Sequence, residues 1–213
     1  MKTKHKALLL SLCAVLLVAS TIFGTFAYLQ DAEMAKNTFT VGKVGITLAE
    51  TDVDEDGNTK ANAYHLQPGM KYTKDPTVTV DAGSEECYVR MMVTVSDMNK
   101  LKAAFPKADY YGANDLFLLQ KLVGGWDKNT WSCVGYENGT NNSGTYEFRY
   151  NGTVAKSEGA TELPALFTSV IIPGEIDNTH LANLEDVTIQ VEAHAMQAAG
   201  FETADAAWAQ FKK

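Results

Sequence analysis

Cys87-Tyr-Val-Arg-Met-Met-Val-Thr-Val95 decides how this chain folds. Cys87, Val89, Met91, Val93 and Val95 recur at every second position, with Tyr88, Arg90, Met92 and Thr94 between them. A period of two sends the first set to one face of a strand and the second set to the other. The segment therefore predicts a strand with one face in a core. Asp186-Val-Thr-Ile-Gln-Val-Glu-Ala-His-Ala195 has the same alternation through Val187, Ile189, Val191, Ala193 and Ala195, and predicts a second such strand.

Shorter segments of the same kind lie around these two. Asn129 to Val134 and Thr145 to Tyr150 read as strands flanking a polar loop, Glu137 to Gly144, and Asn151-Gly152 marks a tight turn. Leu166 to Ile172 is apolar and stops at Pro173-Gly174, while Thr77 to Val80 follows Lys74-Asp-Pro76. Thr38 to Leu48 reads as a strand or strand pair: Phe39 and Val41 alternate with polar neighbours, as do Val44, Ile46 and Leu48, and the phase step at Gly42-Lys43 suggests a bulge. Helical signals are few. Ser96 can cap a helix running to Phe105, ended by Pro106. Leu116, Leu119, Leu122 and Val123 suit a helix between Asp115 and Val123, and Thr203 caps an amphipathic segment ending at Phe211. Many short strands with turn signals between them predict an all-β sandwich with short peripheral helices.

The N-terminus has a different grammar. Lys2, Lys4 and Lys6 precede an apolar run from Ala7 to Phe23, and Gly24-Thr-Phe-Ala27 follows it. A basic start, an apolar stretch and small residues at Thr25 and Ala27 predict a helical secretory signal peptide over residues 1–27, cleaved between Ala27 and Tyr28. The alternative is an uncleaved anchor, since Ala7 to Tyr28 is long enough to span a bilayer. In that case the membrane is met only through this segment. Leu12 before Cys13 does not fit a lipidation signal. Residues 28–213 then form one secreted domain, long enough to bury a core. Three of the 18 Lys+Arg and none of the 26 Asp+Glu lie in the leader, so the mature chain carries 15 basic against 26 acidic residues, a balance of −11. No basic stripe exists to neutralise phosphates, so nucleic acid is not expected as a partner. Cys87 and Cys133 remain after cleavage. They could form a disulfide, closing a loop of about 46 residues and contributing roughly 3–4 kcal/mol, or each could be a buried apolar thiol.

Catalytic patterns are missing. His5 leaves with the leader, and His65, His180 and His194 are far apart, with no His-Glu-x-x-His spacing to hold zinc. His194 falls in the polar phase of its strand, where a satisfied or exposed structural role is expected. No Gly-x-Ser-x-Gly elbow or phosphate-cradling glycine loop occurs. Neither an enzyme nor a cofactor is expected. Asp52, Asp54 and Asp56 with Gly57 match the opening of a calcium loop, but Ala63 stands where the closing bidentate Glu belongs. An acidic turn is the expected reading. Asn138-Gly-Thr140, Asn141-Asn-Ser143 and Asn151-Gly-Thr153 match glycosylation sequons and are read as turn residues.

Gly24-Thr-Phe-Ala-Tyr-Leu-Gln-Asp31 and Asn37-Thr-Phe-Thr-Val-Gly-Lys-Val-Gly-Ile46 resemble the leader and first strand of the TasA/camelysin family of secreted Gram-positive proteins. Further blocks are Lys74 to Val80 with Cys87 to Val93, Leu166 to Pro173, and Glu192 to Phe201 with Ala207-Trp208. The resemblance implies a jelly-roll-like β-sandwich, leader removal by a SipW-type peptidase, and assembly into extracellular biofilm-matrix fibres, alone or with other matrix proteins. It also implies that an N-terminal strand of one subunit completes a sheet of the next. Here that donor would be Tyr28 to about Val41, including Leu29 and Phe39. The same segment could equally be the domain's own first strand. Two other classes stay open: a camelysin-like surface metallo-endopeptidase, and a monomeric surface-binding domain.

Overall fold

The computed structural model describes residues 42–55, 57–59, 62–106 and 122–211. The chain divides into two compact units, Met1–Val41 and Gly42–Lys213, and every described residue belongs to the second. The leader, Ala27, Tyr28, Leu29, Phe39, Val41, Asp56 and most of the helix expected before Val123 lie outside the described residues.

The decisive segment is a strand over its whole length. β4 (Cys87–Val95) alternates without a break between buried and half-buried positions, and its five apolar residues are at most 1 % exposed. It lies inside a four-stranded antiparallel sheet with β10 (Ile189–Gln197) on one side and β7 (Gly144–Tyr150) on the other, followed by β6 (Trp131–Asn138). The register sets Ala193, Met91 and Phe148 side by side, and Val191, Val93 and Tyr146 in the next row. Directly opposed residues point to the same face, so this register gathers the apolar sets of the strands into one surface.

Two three-stranded sheets complete the β-structure of the described residues. One has the order β1 (Ile46–Ala49), β3 (Thr77–Val80), β8 (Thr161–Glu162); the other has β2 (Lys71–Thr73), β9 (Ser169–Ile171), β5 (Val123–Gly124). They are nearly continuous. Between them Lys74 N donates to Thr168 O, Leu166 N to Pro76 O, and Leu163 N to Val78 O. Antiparallel pairing thus passes from β2–β9 to β3–β8, but Pro76 has no N–H to give and the ladder slips by one residue there. One apolar cluster joins the inner faces of all three sheets, including Val78, Met91, Phe148, Leu166 and Phe167. Trp131 is fully buried in it, and its indole N–H donates to Pro164 O at 2.9 Å.

The chain is therefore all-β with a few short helices, as the alternation predicts. α1 (Met98–Ala104) follows β4, but its cap is Asp97 rather than Ser96. The Asp97 carboxylate accepts from the N–H groups of Asn99 and Lys100, whereas Ser96 Oγ accepts from Thr188 N across the loop. Gly144 lets α1 close against the sheet end, since a Cβ there would stand 2.7 Å from Met98 Cγ. α2 (Asn178–Leu181) is one turn capped by Asp177, and α3 (Ala204–Gln210) is capped by Thr203 as expected. Other boundaries move. Of the strand expected over Thr38 to Leu48, the described part begins at Ile46. β6 runs on to Asn138, into the segment expected as loop, and only Ser169–Ile171 of the 166–172 run is strand.

Of the two readings of the cysteines, the register disfavours the disulfide: Cys87 and Cys133 are not bridged to each other. Cys133 pairs with Phe148, Phe148 pairs with Met91, and Cys87 lies four residues further along β4. That offset is about 13 Å along the strands, plus two strand spacings of about 4.8 Å, while a disulfide spans about 4.4–6.8 Å between Cα atoms.

Candidate functional site

Among the described residues, β1 is an end strand of one three-stranded sheet and β10 an end strand of the four-stranded sheet. These two strands run beside each other, and a groove of about 470 Å³ lies between Ile46–Ala49 and Ile189–Ala193. No backbone pairing joins them among the described residues. Some Cα pairs across the gap come within 8 Å. A strand lying between two others holds them about 9.6 Å apart, so a guest here must part the walls slightly. Apolar residues along both strands, among them Ile46, Leu48, Ile189 and Val191, and a gap that no described strand bridges are what an extended peptide needs for register and for affinity.

One end of the groove is polar. Lys74 Nζ bonds both oxygens of Glu50, at 2.8 and 2.9 Å, and the two side chains are only 10 % and 8 % exposed. A buried pair of this kind contributes little net stability, because desolvation offsets most of the attraction, but breaking it strands a charge. The Tyr64 hydroxyl donates to Thr73 O at 2.7 Å beside the pair. Burial, together with the negative charges of Glu50, Asp75 and Asp54, pushes its pKa up to about 12.

The sheet's outer face holds a second cluster, beneath α3. Arg90, on β4, stacks its guanidinium over Trp208 at 4.4 Å and Phe211 at 4.9 Å. Its Nε donates to His194 Nδ1 at 3.2 Å, and its Nη1 donates to Glu147 Oε1 at 3.3 Å. Arg149 binds the same Glu147 oxygen at 2.7 Å and also pairs with Asp205 of α3. His194 accepts at Nδ1, so its proton sits on Nε2, which faces Glu192 Oε1 at 3.0 Å. The cluster pins the C-terminal helix to the sheet. His194 is buried rather than exposed, with both ring nitrogens engaged.

The residues singled out by sequence do not converge. His65 lies in a loop, its carbonyl accepting from the Tyr72 hydroxyl at 2.8 Å. His180 Nδ1 lies 2.7 Å from Asp177, the residue that caps α2. Among the described residues no three His, Cys, Asp or Glu side chains gather to hold a metal. In the acidic turn, Asp52 Oδ2 accepts from Gly57 N at 2.7 Å and Asp54 Oδ2 from Ala63 N at 2.8 Å, so backbone N–H groups take the oxygens a cation would need. Asp52 Oδ1 is buried without a partner; Asp56 lies outside the described residues. The groove and the cluster beneath α3 were not foreseen. The only trace of the latter in sequence was Arg90 and His194 in the polar phases of their strands, with Trp208 on α3 and Phe211 just after it. No family model matches the chain, and neither a curated protein nor a solved structure does.

Proposed function

We propose that this is a secreted, non-catalytic structural protein, a subunit or accessory component of extracellular biofilm-matrix fibres. It folds as a jelly-roll-like β-sandwich. A SipW-type peptidase removes residues 1–27, and the freed Tyr28 to Val41 segment of one copy pairs with a sheet edge of the next, alone or alongside other matrix proteins. The observation that carries this reading is the groove between the β1 and β10 edges. An inserted strand gains main-chain hydrogen bonds on both sides there, and Leu29, Phe39 and Val41 supply the alternating apolar contacts. The resemblance of the N-terminal block supports the same reading. It also accounts for timing, since the donor has a free end only after cleavage.

The test compares processed wild-type protein, a deletion of residues 28–36 and Phe39→Asp by size-exclusion chromatography and negative-stain microscopy. Wild type assembles, and the two variants stay folded monomers. If all three behave alike, the donor-strand reading fails.

A further inference from the structure

The polar end of the groove holds three groups in an arrangement that suits covalent chemistry. Glu50 Oε2 lies 2.9 Å from Lys74 Nζ and 3.5 Å from Asn62 Nδ2, so a single carboxylate oxygen touches both an amine and a carboxamide. The Asn62 amide is held in place from both ends. Its Oδ1 accepts from Val53 N at 2.8 Å, and its Nδ2 donates to Thr51 O at 3.0 Å. Lys74 is buried, so little water competes for its contact with Glu50.

We propose that Lys74 and Asn62 become joined by an intramolecular amide bond, with Glu50 as the proton carrier. Lys74 passes a proton from Nζ to Glu50 Oε2 across the 2.9 Å contact. The neutral amine swings on its flexible stem and attacks Asn62 Cγ. Negative charge develops on Oδ1, where the Val53 N–H already points and stabilises it. The C–Nδ2 bond then breaks. Glu50 returns its proton and the attacking nitrogen gives up another, so Nδ2 departs as ammonium. The balance is one lysine ammonium plus one asparagine carboxamide giving one secondary amide plus one ammonium, with Glu50 regenerated. No oxidant or cofactor is needed. Glu50 and Lys74 both line the groove, which gives ammonium a way out. The bond ties the 51–62 loop to the junction between β2 and β3, close to where a guest strand would part the walls. It does not depend on the assembly reading, and either can fail alone.

The experiment is denaturing intact-mass measurement of the purified full-length chain, followed by tryptic mapping. The expected mass is one ammonia below that calculated for the chain's own N-terminus. The expected branched peptide joins residues 61–71 to 72–90, with cleavage after Lys74 blocked. Lys74→Arg and Glu50→Gln each restore the full mass. Asn62→Asp gives a product identical to that of the wild type, formed by loss of water. An unmodified wild-type mass overturns the proposal. So does an ammonia loss that maps to Asn138-Gly139 or Asn151-Gly152 as a succinimide, which mild base reopens whereas an amide survives it. If the variants do not fold, the wild-type mass and branched peptide decide the matter alone.

Discussion

Among the described residues the four-stranded sheet ends in β6 on one side and β10 on the other, and the two end strands are built differently. At the β6 edge, Trp131 is fully buried and the register breaks between Cys133 and Gly135, while Tyr136 beyond the break still packs against the core. Val134 is 48 % exposed, and Glu137 and Asn138 face solvent. A bulge bends its strand and disrupts the hydrogen-bonding row, which discourages a neighbour from pairing. At the β10 edge, nine residues pair with β4 without any register shift, and the other side faces the groove beside β1. A receiving edge needs that regularity, because a guest strand must match its repeat over several residues. The contrast shows that edge geometry, more than exposed apolar area, separates the two ends of one sheet.

The largest expected effect falls on the anchor of β6. Trp131→Ala removes the indole from a site with no solvent exposure, together with its bond to Pro164 O and its edge-on contact with Tyr150 at 5.4 Å. Denaturant unfolding should show a loss of about 3–5 kcal/mol. A loss below about 1 kcal/mol would mean that Trp131 does not anchor β6 to the core.

A paired substitution tests the edges more directly. Val191→Lys puts a charge in the groove wall and should cost about 1–3 kcal/mol, while also stopping any assembly. Val134→Lys on the bulged edge should change stability by less than about 0.5 kcal/mol and leave assembly as it is. If both variants assemble equally well, the regular edge has no special role; if only Val134→Lys blocks assembly, the edges have been assigned the wrong way round.

Legibility in the sequence followed the range of the interactions. β4, β7 and β10 were readable because period-two alternation is local, and α3 because a Thr cap and an amphipathic turn lie within a few residues of each other. The α1 cap was misplaced by one residue because Ser96 and Asp97 are both competent caps, and a contact with Thr188, 92 positions away, took Ser96. The groove was not readable, since nothing in Ile46 to Ala49 reveals that its free side will face residues 189–193. The Arg90–His194 contact spans 104 positions and the Lys74–Glu50 pair 24. Each requires the register of whole sheets to be known first. The break at Pro76 was legible only as punctuation; that it slips a ladder between two sheets depends on the partner strand.

The thiols give the smallest effect, and they probe the same contrast without altering the fold. Cys87 lies on the inner face of β4 at 0 % exposure, and burial, helped by Glu86, pushes its pKa up to about 11. The raised value means that the reactive thiolate is scarce in the native protein until the pH nears 11, whereas an unfolded chain forms it about two units earlier. Below the unfolded value the shift costs nothing. Above it, the native state holds a proton that the unfolded state has released, and the stability from that proton is lost as pH rises toward 11. Cys133 sits beside the bulge on β6 and is only partly buried. At pH 8 a thiol reagent should therefore label Cys133 first, and Cys87 only on global unfolding. Mass and electrophoretic mobility should be the same with and without reductant. Equal labelling rates would show that the β4 interior opens as readily as the β6 edge, and a reductant-sensitive form would show that the register separating the two thiols is wrong.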